Sequence, residues 1–267
     1  MNKRLFSLLI ALSLLIMSVG TSFAITDGEL DGNGHPEVVL ILMEVDGQPA
    51  FRCSGTLIAP KYVLTAGHCA GAPGEFSGIR IFTESAVDGG KNNYPYGGGK
   101  NSIEAVRWAA HPLYPTAPFF VHDVGMIELK KPFKSGVFGT LPAVNSLDSL
   151  QSGSSTTFTS VGYGVQKVFP DAASWKDVAV RVRMVAHPHL IQVNTGFTGD
   201  FSLLLSNNAS TGGTCFGDSG GPNFLGNSNV VAGVTSFGLN GTCGGTGGVF
   251  RMDRQDVQDF INDFMGK

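Results

Sequence analysis

An all-β fold is what this sequence predicts, and three observations carry the prediction. Glycine is abundant, 37 of 267 residues, as suits a chain with many tight turns. Short apolar segments containing β-branched residues recur, separated by glycine, asparagine and proline. The alternation of strand and helix that builds a parallel α/β sheet is missing. Hydrophobic residues make up 42% of the chain and charged residues 15%. The length allows a sizeable core, as one large all-β domain or two smaller ones.

The first expected strand is the largely apolar segment 38–45, followed by the turn signal Asp46-Gly47. A second strand runs over about 50–58, and Pro60-Lys61 turns the chain into Tyr62–Thr65. A short strand at 79–82 leads to a glycine- and asparagine-rich stretch, 88–101, that reads as a mobile surface loop. Further strands are expected near 103–108, 124–129, 156–161, 179–185, 201–205 and 230–237. A composition break over 139–153 marks a boundary between two β units. At the end of the chain Val257, Phe260, Ile261 and Phe264 fall on one helical face. Asp253 is placed to cap that helix, and Met252 to pack on Val257. The expected organisation is a leader (1–24), a first β unit (25–142), a second (143–252) and a helix (253–267).

The leader begins with Lys3 and Arg4, continues with an apolar run from Leu5 to Val19, and ends in Ser22-Phe23-Ala24. This is the pattern of a secretory signal peptide; as a membrane anchor the run is short. Its removal takes the formal charge from −3 to −5. Secretion is therefore expected, with no membrane association afterwards. An acidic balance without a basic run offers nothing to nucleic acid. Export favours disulfides; four cysteines allow three pairings, of which proximity along the chain favours Cys53 with Cys69 and Cys215 with Cys243. A zinc site is the competing use of four cysteines, but no C-x-x-C pair is present.

One stretch carries chemistry: Cys215-Phe216-Gly217-Asp218-Ser219-Gly220-Gly221-Pro222. Gly217 to Gly221 fit G-x-S-x-G, the nucleophile elbow of an α/β-hydrolase, where the histidine base follows the serine. The six histidines lie at 35, 68, 111, 122, 187 and 189, all before Ser219. The elbow thus lacks its base. Read instead as GDSGG, with Leu64-Thr65-Ala66-Gly67-His68-Cys69 and His122-Asp123-Val124-Gly125-Met126-Ile127-Glu128-Leu129 upstream, the chain closely resembles the trypsin-like serine proteases. Cys53–Ile58, Val161-Gly162-Tyr163-Gly164, Ser236-Phe237-Gly238 and Gly248-Val249-Phe250 resemble further segments of that family. The likeness runs from Ile25 to the end.

The resemblance implies two packed six-stranded antiparallel β-barrels with a C-terminal helix and a site in the cleft between them. It implies His68, Asp123 and Ser219 as catalytic residues, with the N–H groups of Gly217 and Ser219 as the oxyanion hole. It also implies an ion pair between Asp218 and the α-ammonium of Ile25, although Thr26 and Asp27 depart from the family's usual Val-Gly. No Arg or Lys lies between Leu5 and Phe51, so cleavage after Ala24 would itself expose Ile25. Gly213, Thr214, Phe216, Ser236, Phe237, Gly238 and Gly248 are implied around the substrate pocket. With no acid at its base, the pocket suits a large apolar or aromatic side chain. The expectation is a monomeric endopeptidase acting on proteins or peptides, with no cofactor and no metal; the alternative is a silent secreted binding protein on the same fold. His187 and His189, in HPH, read as a surface loop, and His35 and His111 as turns before proline. Asp31 to Gly34 is a turn without the spaced carboxylates of a calcium loop, and Asn208 and Asn240 begin glycosylation patterns.

Overall fold

The computed structural model describes residues 25–118, 121–196 and 198–267; the expected leader lies outside them. Six antiparallel strands close the first barrel: β2 (Val38–Val45), β3 (Gln48–Ala59), β4 (Tyr62–Thr65), β5 (Gly78–Phe82), β6 (Ser102–Ala110) and β7 (Gly125–Leu129). Their order is β2-β3-β4-β7-β6-β5. A short strand, β1 (Glu29–Leu30), precedes them. It pairs not with this barrel but with β9 (Met184–Ala186) of the second sheet. The other strands of that sheet are β8 (Gly153–Gly162), β10 (His189–Thr195), β11 (Gly199–Asn207), β12 (Pro222–Leu225), β13 (Val231–Gly238) and β14 (Gly245–Arg251). The order β8-β10-β11-β14-β13-β12 closes on itself through β8–β12 pairing, giving the second barrel. A one-turn helix, α1 (Gly67–Ala70), follows β4, and α2 (Gln255–Met265) ends the fold.

The barrels share one hydrophobic core. Leu40, Ile41, Val63, Leu64, Met126 and Ile127 from the first pack in one cluster with Val161, Phe224, Val234 and Phe250 from the second. In β2, residues 38–43 are buried on both faces. This matches a strand between barrel interior and barrel interface, and explains its unbroken apolar run. Disulfides join Cys53 to Cys69 and Cys215 to Cys243.

Several elements differ from the sequence reading, each for a physical reason. The segment around His189 is a strand rather than a loop; its alternation is weak, with Leu190 alone fully buried. Of the stretch 179–185 only the end joins a strand, because Val182 instead bridges to Ala86 across the barrels. The loop 88–101 is anchored by buried Asn92, which donates to Val87 O at 3.0 Å and accepts from the Tyr94 N–H at 2.8 Å. Helix α2 buries Val257, Ile261 and Phe264, but its N-cap is Arg254, with no side-chain cap. Asp253 does not cap. Its carboxylate receives Arg251 Nε at 2.9 Å, Arg251 Nη2 at 2.8 Å and the Leu147 N–H at 2.9 Å. A buried guanidinium needs a counter-charge, and that need prevails over the local capping preference.

A second buried pair ties the N-terminal segment to both barrels. Arg183 Nε donates to Asp31 Oδ2 at 2.7 Å, Nη1 to Val38 O at 3.0 Å and Nη2 to Gly32 O at 2.8 Å. Both side chains are 1% exposed. Burial alone would raise the Asp31 pKa; hydrogen bonds from His35 and Arg183 hold it below the ordinary value. Removing one partner leaves a buried charge unmatched. Arg183→Ala should therefore lose about 3–5 kcal/mol in urea unfolding. Replacing Asp31 and Arg183 together with apolar residues should lose much less.

Candidate active site

The geometry begins with a close approach at Gly67. A Cβ on Gly67 would lie 3.0 Å from the Tyr114 ring and 3.2 Å from Asp123 Oδ1. With no side chain there, the Asp123 carboxylate reaches the start of α1 and accepts the His68 backbone N–H at 3.0 Å. The same carboxylate contacts His68 Nδ1 at 3.1 Å through Oδ1 and 3.0 Å through Oδ2. Its Oδ2 also accepts the Ser236 hydroxyl, from the second barrel, at 2.5 Å. Asp123 is fully buried, and the His68 side chain is 31% exposed. An acceptor at Nδ1 places the neutral ring's proton there and leaves the Nε2 lone pair free. Burial opposes a charged imidazole, but the Asp123 charge and hydrogen bond prevail, and the His68 pKa is raised above its ordinary value.

The Ser219 loop is pressed against the first barrel. The Ser54 N–H donates to Ser219 O at 2.8 Å, and the Ser54 hydroxyl donates to Gly217 O at 3.0 Å. Gly220 has φ +76°, and a Cβ there would stand 2.0 Å from Thr65 Oγ1 and 2.6 Å from Ser54 O. Any other residue would push the loop away from His68. Gly217 has φ +94°, a left-handed conformation that glycine adopts without penalty. Among the described residues no protein acceptor takes the N–H of Gly217 or of Ser219. Nor does a hydrogen bond join the Ser219 hydroxyl to His68 among them. Such bonds in unliganded enzymes commonly form only when substrate arrives.

Asp218, one residue earlier, points inward and is completely buried. Its donors are the N–H of Gly164 at 2.7 Å and of Cys215 at 2.9 Å. Burial pushes its pKa up to about 7, against the pull of those two hydrogen bonds. Ile25 is also fully buried, against Met184 and Ala186, and Thr26 bridges to Gly213.

Beside Ser219 opens a cavity of about 480 Å³. Thr214, Phe216, Ser236, Phe237 and Gly238 line it, with the Cys215–Cys243 disulfide and Asn240. The structure brings neither Gly213 nor Gly248 to its surface. Gly213 stands behind the wall, where a Cβ would meet Asn207 Cγ at 2.2 Å. Gly248 is covered by the Phe237 ring, whose tip would lie 2.3–2.5 Å from a Cβ.

His122, beside Asp123 in sequence, has φ +55°. It stacks on His111 (4.8 Å, 10°) and tilts onto Phe201 at 5.0 Å. Its Nδ1 lies 3.1 Å from Asp256 Oδ2 of α2, off the line of a hydrogen bond. The ring thus touches the first barrel, the second barrel and the helix. Two imidazoles stacked face to face cannot both direct an in-plane lone pair at one ion, so this cluster is packing rather than a metal centre. Sequence reasoning missed Ser54 and the role of the Ser236 hydroxyl, because single polar residues in strands and turns carry no distinctive pattern.

The fold and site define a class: a two-barrel β protein with an acid–imidazole pair and a glycine-flanked serine at the barrel junction. The chain belongs to the trypsin family of serine proteases, whose family model, described as Trypsin, matches residues 33–261. It is 30% identical over 198 residues to brachyurin of Leptuca pugilator, covering 72% of this chain and 78% of that one. Among solved structures it is similar to a collagenase described as HL collagenase (TM-score 0.68, 20% identity, 91% of this chain and 99% of that one). Human heparin binding protein shares the fold too (TM-score 0.64, 18% identity, 91% and 97%).

The raised Asp218 pKa gives a signed prediction for the chain still extended before Ile25. An acid whose folded pKa lies above its unfolded value, about 3.9, stabilises the fold below that value and loses the contribution as pH rises. Relative to Asp218→Asn, the extended chain should lose stability between about pH 4 and pH 7. Urea unfolding of the two across that window measures it.

Proposed function

We propose that the protein is a secreted serine endopeptidase that hydrolyses peptide bonds through an acyl-enzyme, with Ser219, His68 and Asp123 as its catalytic residues. The observation that carries the reading is the buried Asp123 carboxylate. It accepts hydrogen bonds from His68 Nδ1 and the Ser236 hydroxyl, which fixes the imidazole and leaves Nε2 as its basic nitrogen. In the first step Ser219 Oγ bonds to the substrate carbonyl carbon while its proton passes to His68 Nε2. The tetrahedral adduct then collapses, the C–N bond breaks, and His68 gives that proton to the leaving amine. Water repeats the sequence on the ester and restores the serine. The undonated N–H groups of Gly217 and Ser219 receive the developing oxyanion, each worth about 10²–10³ in rate.

Cleavage after Ala24 by signal peptidase would give Ile25 a free α-ammonium, the cation that buried Asp218 lacks among the described side chains. No separate zymogen cut is then required. A free α-amine titrates near 7.7–8.0, and pairing raises that value. The paired form therefore persists below the raised value and is lost as alkali removes the proton. The signal-like leader and the two disulfides support a protein that works outside the cytoplasm; we take it to act as a monomer on protein or peptide substrates, without a cofactor. No charged residue lines the cavity, and the Phe237 ring faces it, which supports large apolar or aromatic side chains at the position before the cut. We take the mature unit to run from residue 25, with the barrels divided near 142. The rival reading, a silent binding protein on this fold, is opposed by the intact constellation of serine, histidine, aspartate and glycine.

A peptidyl diphenyl phosphonate should label Ser219 in the folded, secreted protein, and Ser219→Ala should abolish labelling. Folded wild type that stays unlabelled would favour the rival. Asp123→Asn should lower kcat about 10⁴-fold, because the imidazole then presents the wrong tautomer. Because catalysis needs neutral His68, wild-type kcat/KM should rise with pH through a midpoint above the ordinary histidine value of about 6.5. N-terminal mass spectrometry should find Ile25 first; a fully active enzyme starting several residues away would overturn the maturation step.

A further inference from the structure

Behind the cavity wall lies a polar contact that the proposed catalytic chemistry does not use. The Thr26 hydroxyl donates to Asn207 Oδ1 at 2.8 Å, and Asn207 Nδ2 donates to Thr214 O at 2.8 Å. The amide orientation is fixed by chemistry: a backbone carbonyl only accepts, so the NH₂ must face Thr214. The Gly213 N–H donates to Thr26 O at 3.0 Å, closing the contact from the other side. Thr26 is 9% exposed and Asn207 2%, so neither water nor another side chain readily replaces these bonds.

The same carboxamide fills the space that a side chain at position 213 would need. A Cβ on Gly213 would lie 2.2 Å from Asn207 Cγ and 2.4 Å from Oδ1. Thr214, whose carbonyl it holds, lines the cavity. The departure of Thr26 from the usual valine thereby has a physical reason: a buried amide oxygen needs a donor, and threonine keeps valine's shape while supplying one.

We propose that Asn207, locked by the Thr26 hydroxyl, is a positioning residue that sets the back wall of the specificity cavity and so its selectivity for large apolar side chains. The proposal rests on the endopeptidase reading. With the lock in place Thr214 is held, the cavity keeps one width, and no side chain, acidic or otherwise, can stand at 213. Without the hydroxyl, Asn207 Oδ1 is buried unmet, the amide turns, and Thr214 loses its anchor. The cavity then loosens, and discrimination between large and small apolar side chains falls.

The experiment compares kcat/KM of the secreted, mature protein for matched peptides with Phe or Ala before the cut. Thr26→Val should lower the Phe/Ala ratio about tenfold, the scale on which an apolar pocket discriminates; Thr26→Ser, which keeps the hydroxyl, should retain it. Asn207→Ala should lower the ratio similarly, and Thr26→Val added to Asn207→Ala should change nothing more, the signature of two residues acting as one. Melting temperatures confirm that each variant is folded. A ratio within twofold of wild type in folded Thr26→Val, or additive effects in the double variant, overturns the assignment alone. Wild type that neither cleaves the peptides nor takes the phosphonate label overturns the endopeptidase reading and this assignment with it.

Discussion

A carboxylate buried where two barrels meet must be satisfied from both, and Asp123 is. The first barrel supplies the His68 backbone and ring, and the second supplies the Ser236 hydroxyl. The Ser219 loop reverses the arrangement. It belongs to the second barrel and is held by Ser54 of the first. Neither half of the site is complete on its own barrel, so the relative placement of the barrels decides whether the site forms. The shared hydrophobic core fixes that placement, and the glycine at 220 lets the Ser219 loop come close enough for its hydrogen bonds to form.

Charge burial follows the same seam. Arg183 and Asp31 join the N-terminal segment to strand β2 and to the second sheet, and Arg251 and Asp253 join β14 to the segment before β8. Such pairs contribute little net stability compared with well-packed apolar residues. They do dictate which backbone carbonyls and amides meet, and a misdocked arrangement would leave the charges unmatched.

Much of the fold was legible because its signals are local. Val38–Val45 and Tyr62–Thr65 read as strands from apolar and β-branched runs, and the structure gives the same bounds. The α2 face was legible from the spacing of Val257, Ile261 and Phe264, all buried. The acid, imidazole and serine segments were recognisable as short stretches in a particular order, and the structure draws those stretches to one junction. What stayed hidden depends on partners far along the chain. Asp253 reads as a cap by local rules, yet Arg251 and Leu147 claim it. Asn207 ends a strand without distinction, and its meaning depends on Thr26. The pocket glycines show the same limit from the other side. Gly213 and Gly248 were assigned to the lining, but the Asn207 amide and the Phe237 ring occupy the space beside them.

The pairing of β1 with β9 sets a timetable for the growing chain. Glu29 and Leu30 leave the ribosome early, yet their partners Met184 and Val185 follow only after the whole first barrel has been made. Ile25, fully enclosed in the finished protein, must wait equally long for its cover. On the proposed export and cleavage after Ala24, a peptidase would reach the bond before Ile25 while the polypeptide is still threading across the membrane and lose access once the second barrel closes. Translocation order, rather than a later activating partner, would then decide when this N-terminus becomes part of the interior.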